Sequence, residues 1–127
     1  MSTERPWLNI YPGGIPANID PSAYNSVVDF VSKKCEEHKK KAAFSLMGTE
    51  LTYGEIDKLS TQFGAYLQSR GLEQGDKFAI MMPNLLQYPI ALIGALKAGL
   101  IVVNTNPLYT PREMEHQFTD SDVKGIV

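Results

Sequence analysis

The chain has 127 residues, enough for one domain or part of one, and its 43% hydrophobic and 20% charged content is ordinary for a soluble globular protein. A formal net charge of -2 supplies no basic field of the kind that binds nucleic acid. One cysteine, Cys35, excludes an internal disulfide framework and fits a reducing compartment.

Residues 1–24 carry Pro6, Pro12, Pro16 and Pro21 with Gly13-Gly14. Proline removes backbone donors, so this stretch is expected to run as an extended arm over the surface, anchored by Trp7, Ile10, Tyr11 and Ile15. It holds no apolar h-region, so it is not read as a signal peptide. Residues 25–127 are expected to form a single α/β subdomain. Asn25 or Ser26 caps a helix running to about His38, with Val27, Val31 and Cys35 at four-residue spacing and Phe30 beside them on the buried face. The KKCEEHKKK run that follows reads as a solvated helix end.

Ala43–Met47 and Glu50–Thr52 flank Gly48-Thr49 and predict a short hairpin. Thr52 and Glu55 have the spacing of a capping box, and Ile56, Leu59, Phe63, Tyr66 and Leu67 continue the helix it opens. Gly71 supplies the left-handed end, with Leu72 after it. Lys77–Met82 is apolar on both faces, as a central parallel strand requires. A buried helix containing Pro89 near its start runs to Gly99, and Leu100–Val103 predicts the next all-apolar strand. Thr110-Pro111-x-Glu113 is a second capping box, opening a helix with Met114 and Phe118 on one side. Lys124–Val127 begins another strand. Strand, helix, strand, helix, strand at these lengths implies parallel pairing. The apolar run from Leu85 to Val103 approaches membrane-spanning length, but Lys97, Pro89, Gly94 and Gly99 interrupt it, so no transmembrane segment is expected.

A search for chemistry finds little. There is no GxxxxGK[ST], no GxGxxG and no GxSxG. Cys35 with His38, and Glu113 with His116, are isolated pairs without the further ligands a structural zinc needs, and helix-surface or capping roles account for them. Tyr88, Tyr109 and Phe118 are too scattered to stack nucleic-acid bases. Ligands of open α/β sheets bind beyond the carboxyl ends of the strands. Here those ends are Pro83-Asn84 and Asn104-Thr105-Asn106-Pro107. Their amides and hydroxyls suit a pocket lining, but a tight strand-to-helix turn needs the same residues, and that reading is favoured because neither loop holds a titratable catalytic group. The residues themselves assign no catalytic, cofactor-binding or metal position.

LTYGE, GDKFAIMMPN, ALKAG and VVNTNPLYTPREMEHQ, in this order and spacing, resemble the N-terminal portion of AMP-forming acyl-CoA synthetases. The last of these, together with the opening WLNIYPGGIPANID, points to the bacterial long-chain fatty-acid–CoA ligases within them. The resemblance implies a fold with a partial parallel sheet, flanking helices and a short N-terminal hairpin, part of the large N-terminal domain of an adenylate-forming enzyme. It implies a two-step reaction in which ATP and a fatty acid form an acyl-adenylate that coenzyme A then attacks, with Mg2+ neutralising the phosphates. The family's phosphate loop, nucleotide-binding residues, acyl tunnel and catalytic lysine all lie beyond the matched region. The chain is therefore expected to be an inactive N-terminal piece that binds no cofactor, with self-association through exposed sheet edges. A cytoplasmic location is expected, with peripheral membrane attachment left open. Two rivals stay open: another adenylate-forming ligase (medium-chain, aromatic or carrier-loading), and a stand-alone α/β interaction module.

Overall fold

A computed structural model describes residues 5–127. After a 3-10 turn at Pro6–Ile10, the elements are α1 (Val27–Glu37), β1 (Ala42–Leu46), β2 (Thr49–Thr52), α2 (Tyr53–Ser69), β3 (Lys77–Ile80), α3 (Gln87–Lys97), β4 (Ile101–Asn104), α4 (Pro111–Ser121) and β5 (Val123–Ile126). The first two strands form an antiparallel hairpin, and the other three form a parallel sheet in the order β4-β3-β5. This is the α/β class expected from the strand–helix alternation.

Strand β3 is central because its residues tolerate burial on both faces: Phe78, Ala79 and Ile80 are all buried. Its ladder continues past its end, where Met81 N–H donates to the Val127 carbonyl at 2.8 Å. Strand β4 departs from the expectation of a fully buried strand. It pairs on one side only, and Ile101 is 52% exposed while Leu100 and Val102 pack inward. Edge position, which local apolarity does not reveal, is the reason.

The core joins Leu67 of α2, Phe78 and Ile80 of β3, and Ala91 and Ala95 of α3 with Ala98 and Leu100 just beyond it. Burying a side chain such as Phe78 or Ile80 stabilises the fold by roughly 1.5–3 kcal/mol. The deepest line of α2 keeps Ile56 and Leu67 of the expected stripe but runs through small residues between them. Ser60 and Gly64 are buried there, whereas Tyr66 is 55% exposed. A Cβ on Gly64 would lie 2.8 Å from the Gly94 carbonyl, and one on Gly94 would lie 2.7 Å from the Ser60 carbonyl. The two helix backbones meet here, and only small residues permit it. Lys97 closes the same contact from the end of α3. Its Nζ donates to the Asp57 carboxylate at 2.7 Å, the Asp57 carbonyl at 3.0 Å and the Thr61 hydroxyl at 2.8 Å. A lysine inside an apolar helix is thus explained by partners on its neighbour.

Local signals set the element ends. Ser26 rather than Asn25 caps α1, its hydroxyl accepting from Asp29 N–H at 3.0 Å. Thr52 and Glu55 form the expected capping box on α2. Helices α2 and α3 end alike: Gly71 and Gly99 take the left-handed conformation, and the Leu72 and Leu100 N–H groups reach back to the Leu67 and Ala95 carbonyls. The hairpin turn lies one residue earlier than expected. Met47 and Gly48 occupy it, both with positive φ (49° and 79°), as a two-residue turn of the I′ kind requires.

Two further expectations about burial are corrected. Trp7, Ile10, Tyr11 and Ile15 do not anchor the arm: each is more than 40% exposed, and the segment is tied mainly to itself, as in the Arg5–Asn18 hydrogen bond of 2.6 Å. Its prolines leave it few donors to bond elsewhere. On α1, Val27 and Phe30 are exposed and only Cys35 is buried, because the helix meets its neighbours at its C-terminal end.

Candidate functional site at the carboxyl end of the sheet

The two strand-end loops meet at one edge of the sheet. Thr105 N–H crosses from the end of β4 to the Ile80 carbonyl of β3 at 3.0 Å, and Thr105 is buried. Beside this junction the β3–α3 loop faces the hairpin across a groove of about 340 Å³, lined by Phe44, Leu46, Asn84, Leu85 and Tyr88.

The two asparagines of the second loop play different parts. Asn106 is a turn residue: its Oδ1 accepts from Leu108 N–H at 3.0 Å, and its carbonyl accepts from Tyr109 N–H at 3.0 Å. Asn104 makes no such local bond. Its Oδ1 accepts from the Tyr88 hydroxyl at 2.6 Å, and its backbone carbonyl accepts from Gln117 Nε2 at 3.1 Å. Tyr88 comes from the start of α3 and Gln117 from the second half of α4, so both helices grip the last residue of β4. The oxygen of the Gln117 side-chain amide, Oε1, is buried without a partner among the described residues.

Neither Tyr88 nor Gln117 is singled out by the sequence pattern. The available signal for Gln117 is a polar residue beside Met114 and Phe118, on the side of α4 that is turned partly inward. For Tyr88 it is a hydroxyl placed one helical turn after a strand-end loop. The Thr110–Glu113 pair starts α4 as expected, with Glu113 Oε2 accepting from Thr110 N–H at 2.7 Å. Hydrogen bonds from the Thr110 side chain and backbone hold that carboxyl below its usual range.

The isolated pairs take structural places. Cys35 is buried against α2 and α3 residues, and burial, seconded by the Asp57 carboxylate, raises its thiol above its ordinary pKa. His38 caps α1 and packs edge-on against Tyr53 at 5.8 Å. Glu113 is engaged by Thr110, and His116 stays exposed. Among the described residues no group of three or more His, Cys, Asp or Glu could hold a metal. Nor is any helix among them long and apolar enough to cross a membrane.

A parallel sheet with crossover helices places the chain among the α/β proteins, and the comparisons narrow that class. The family of AMP-binding enzymes matches residues 31–127. The chain belongs to that family. It is 50% identical to a long-chain-fatty-acid–CoA ligase of Yersinia pestis over 125 residues, 98% of this chain and 22% of the relative. A long-chain-fatty-acid–CoA ligase of Bacillus subtilis is 38% identical over 127 residues, again 22% of that protein. The chain thus spans about a fifth of the length of the curated relatives it matches.

Solved structures agree on the fold. A benzoate CoA ligase from Burkholderia xenovorans superposes with a TM-score of 0.74 at 25% identity, over 78% of this chain and 20% of that one. The N-terminal subdomain of NpsA from Klebsiella oxytoca gives 0.77 at 20% identity, over 80% of this chain and 26% of that one. The chain therefore has the fold found in the N-terminal region of adenylate-forming enzymes.

Proposed function

We propose that the chain is the N-terminal scaffold of an AMP-forming long-chain fatty-acid–CoA ligase. The observation that carries this is 50% identity to such a ligase across 98% of the chain, against 20–25% for the benzoate ligase and NpsA. The whole enzyme would join a fatty acid to ATP as an acyl-adenylate and pass the acyl group to coenzyme A. Mg2+ would neutralise the phosphates there. The residues described here do not fit that ion, having no set of three acidic or imidazole donors, and they offer no glycine-rich phosphate cradle. In this reading residues 25–127 position the sheet, residues 1–24 form an arm beside it, and the chemistry belongs to residues outside the chain. The arm's exposed apolar side chains and the one-sided pairing of β4 and β5 favour self-association of the isolated chain. The unbridged Cys35 supports a cytoplasmic setting.

The test is a substrate panel on the full-length enzyme that carries this segment. Oleate or palmitate should be converted to acyl-CoA with AMP and pyrophosphate released. Preference for benzoate or for an amino acid would replace this reading by another adenylate-forming ligase. No adenylation of any acid would remove the enzyme reading.

A further inference from the structure

Residues 6–19, PWLNIYPGGIPANI, contain no charged side chain. Arg5 and Asp20 stand at either end. The Arg5 guanidinium donates to Asn18 Oδ1 at 2.6 Å, closing the segment into a loop whose ends lie together. The loop shows its apolar side chains to solvent: Ile19 is 90% exposed, Ile10 82%, Ile15 55% and Trp7 51%. Scattered singly, such residues are ordinary on a protein surface, but gathered in one loop they mark an interaction site. At its root the loop is fastened to α1. The Tyr24 ring meets Phe30 edge-on at 4.8 Å, and Lys33 Nζ lies 5.5 Å from the centre of the Tyr24 ring. Val27 and Phe30, on that helix, are exposed as well. Charge is divided along the same line. Residues 5–41 hold six Lys and Arg against four Asp and Glu, whereas residues 42–127 hold six against nine. An uncharged apolar loop thus stands on the cationic part of an acidic chain.

We propose that residues 6–19 are a lipid-docking loop, which enters the interface of an anionic bilayer with Trp7, Ile10, Ile15 and Ile19 while the cations of residues 5–41 are drawn to the headgroups. Two features favour lipid over a protein partner. The loop has none of the charged groups that rim a protein interface, and Trp and Tyr are the side chains that settle at headgroup depth. Excess positive charge beside exposed apolar side chains is the pattern of attachment to a bilayer surface rather than of a span across it. The proposal rests on the ligase reading for its purpose: long acyl chains partition into bilayers, so a docked enzyme meets its substrate where that substrate accumulates.

The test is sedimentation of the full-length enzyme with vesicles of phosphatidylcholine alone and of phosphatidylcholine mixed with phosphatidylglycerol. The wild type should pellet with the mixed vesicles, and less in high salt or with phosphatidylcholine alone. Trp7→Ser combined with Ile10→Ser should lower the vesicle partition coefficient at least about 10-fold, with the melting temperature and the oligomeric state in lipid-free buffer kept. Lipid contact is read directly at Trp7: brominated lipid should quench a fluorescence component that Trp7→Phe removes. A wild type that does not pellet, pelleting unchanged in the double variant, or Trp7 fluorescence untouched by brominated lipid would overturn the proposal. So would a double variant that changes oligomeric state or melts at lower temperature while vesicle binding stays, because the loop would then seat on a second copy or on the rest of the enzyme. An enzyme that makes oleoyl-CoA without pelleting would overturn this proposal alone. One that pellets through Trp7 but activates no fatty acid would support the loop's role and overturn the ligase reading.

Discussion

At Gly64 and Gly94 the backbones of α2 and α3 touch, whereas at the end of β4 the chain is held by hydrogen bonds from Tyr88 and Gln117. The first region has no room for an added methyl group. The second is open, with Asn104, Asn106 and Leu108 all exposed. Packing without side chains gives a rigid platform. Hydrogen bonding at an exposed rim gives little burial but fixes where the loop leaves the strand. The same sheet thus keeps its stability in one place and its polar equipment in another.

Substitutions should separate the two regions sharply. Phe78→Ala in the core is expected to cost about 3–5 kcal/mol in chemical denaturation, against roughly 0.5 or less for Leu108→Ala, which is 86% exposed. Comparable losses at both positions would erase the distinction. Gly94→Ala should cost about 1–3 kcal/mol, because its Cβ meets a backbone carbonyl that flexible side chains cannot clear. A neutral result would show that the helices have room to separate.

Weaker effects test the element ends. Thr52→Ala removes the cap of α2 and should cost about 0.5–2 kcal/mol, read from the denaturation midpoint. The partner carboxylate adds a pH dependence. Glu55 is held below its ordinary pKa by hydrogen bonds from the Thr52 backbone and hydroxyl, and Glu113 is held low in the same way at Thr110. A lowered carboxylate pKa stabilises the fold fully above the ordinary value of 4.5 and loses that contribution as pH falls through the folded value. Denaturation midpoints should therefore decline below about pH 4.5, and less steeply when Glu55 is replaced by Gln. The smallest effect is a gain. Met47 is 98% exposed with φ 49°, so Met47→Asn should stabilise the hairpin by about 0.5–1 kcal/mol.

The core of the fold is legible in the sequence because its signals are local. Thr52 with Glu55, Gly71 with Leu72, and the doubly apolar FAIMM run each identify an element without help from distant residues. What depends on distant partners is not legible. Ile101 is exposed because β4 lies at the sheet edge, and Trp7 and Ile10 are exposed because no groove receives them. Ser60 and Gly64 are buried only because Gly94 stands opposite. At the rim, the two strand-end loops are readable from position alone, but the separation of Asn104 from Asn106 is not. Both are asparagines of one loop, and only the Tyr88 hydroxyl, 16 residues away, tells them apart.

The central claim, that residues 1–127 are platform rather than catalyst, is tested most directly by the isolated chain. Purified and shown to unfold cooperatively, it should form no oleoyl-CoA from oleate, ATP, Mg2+ and coenzyme A, under conditions in which the full-length enzyme turns over. Thioester formation by the chain alone would contradict the account.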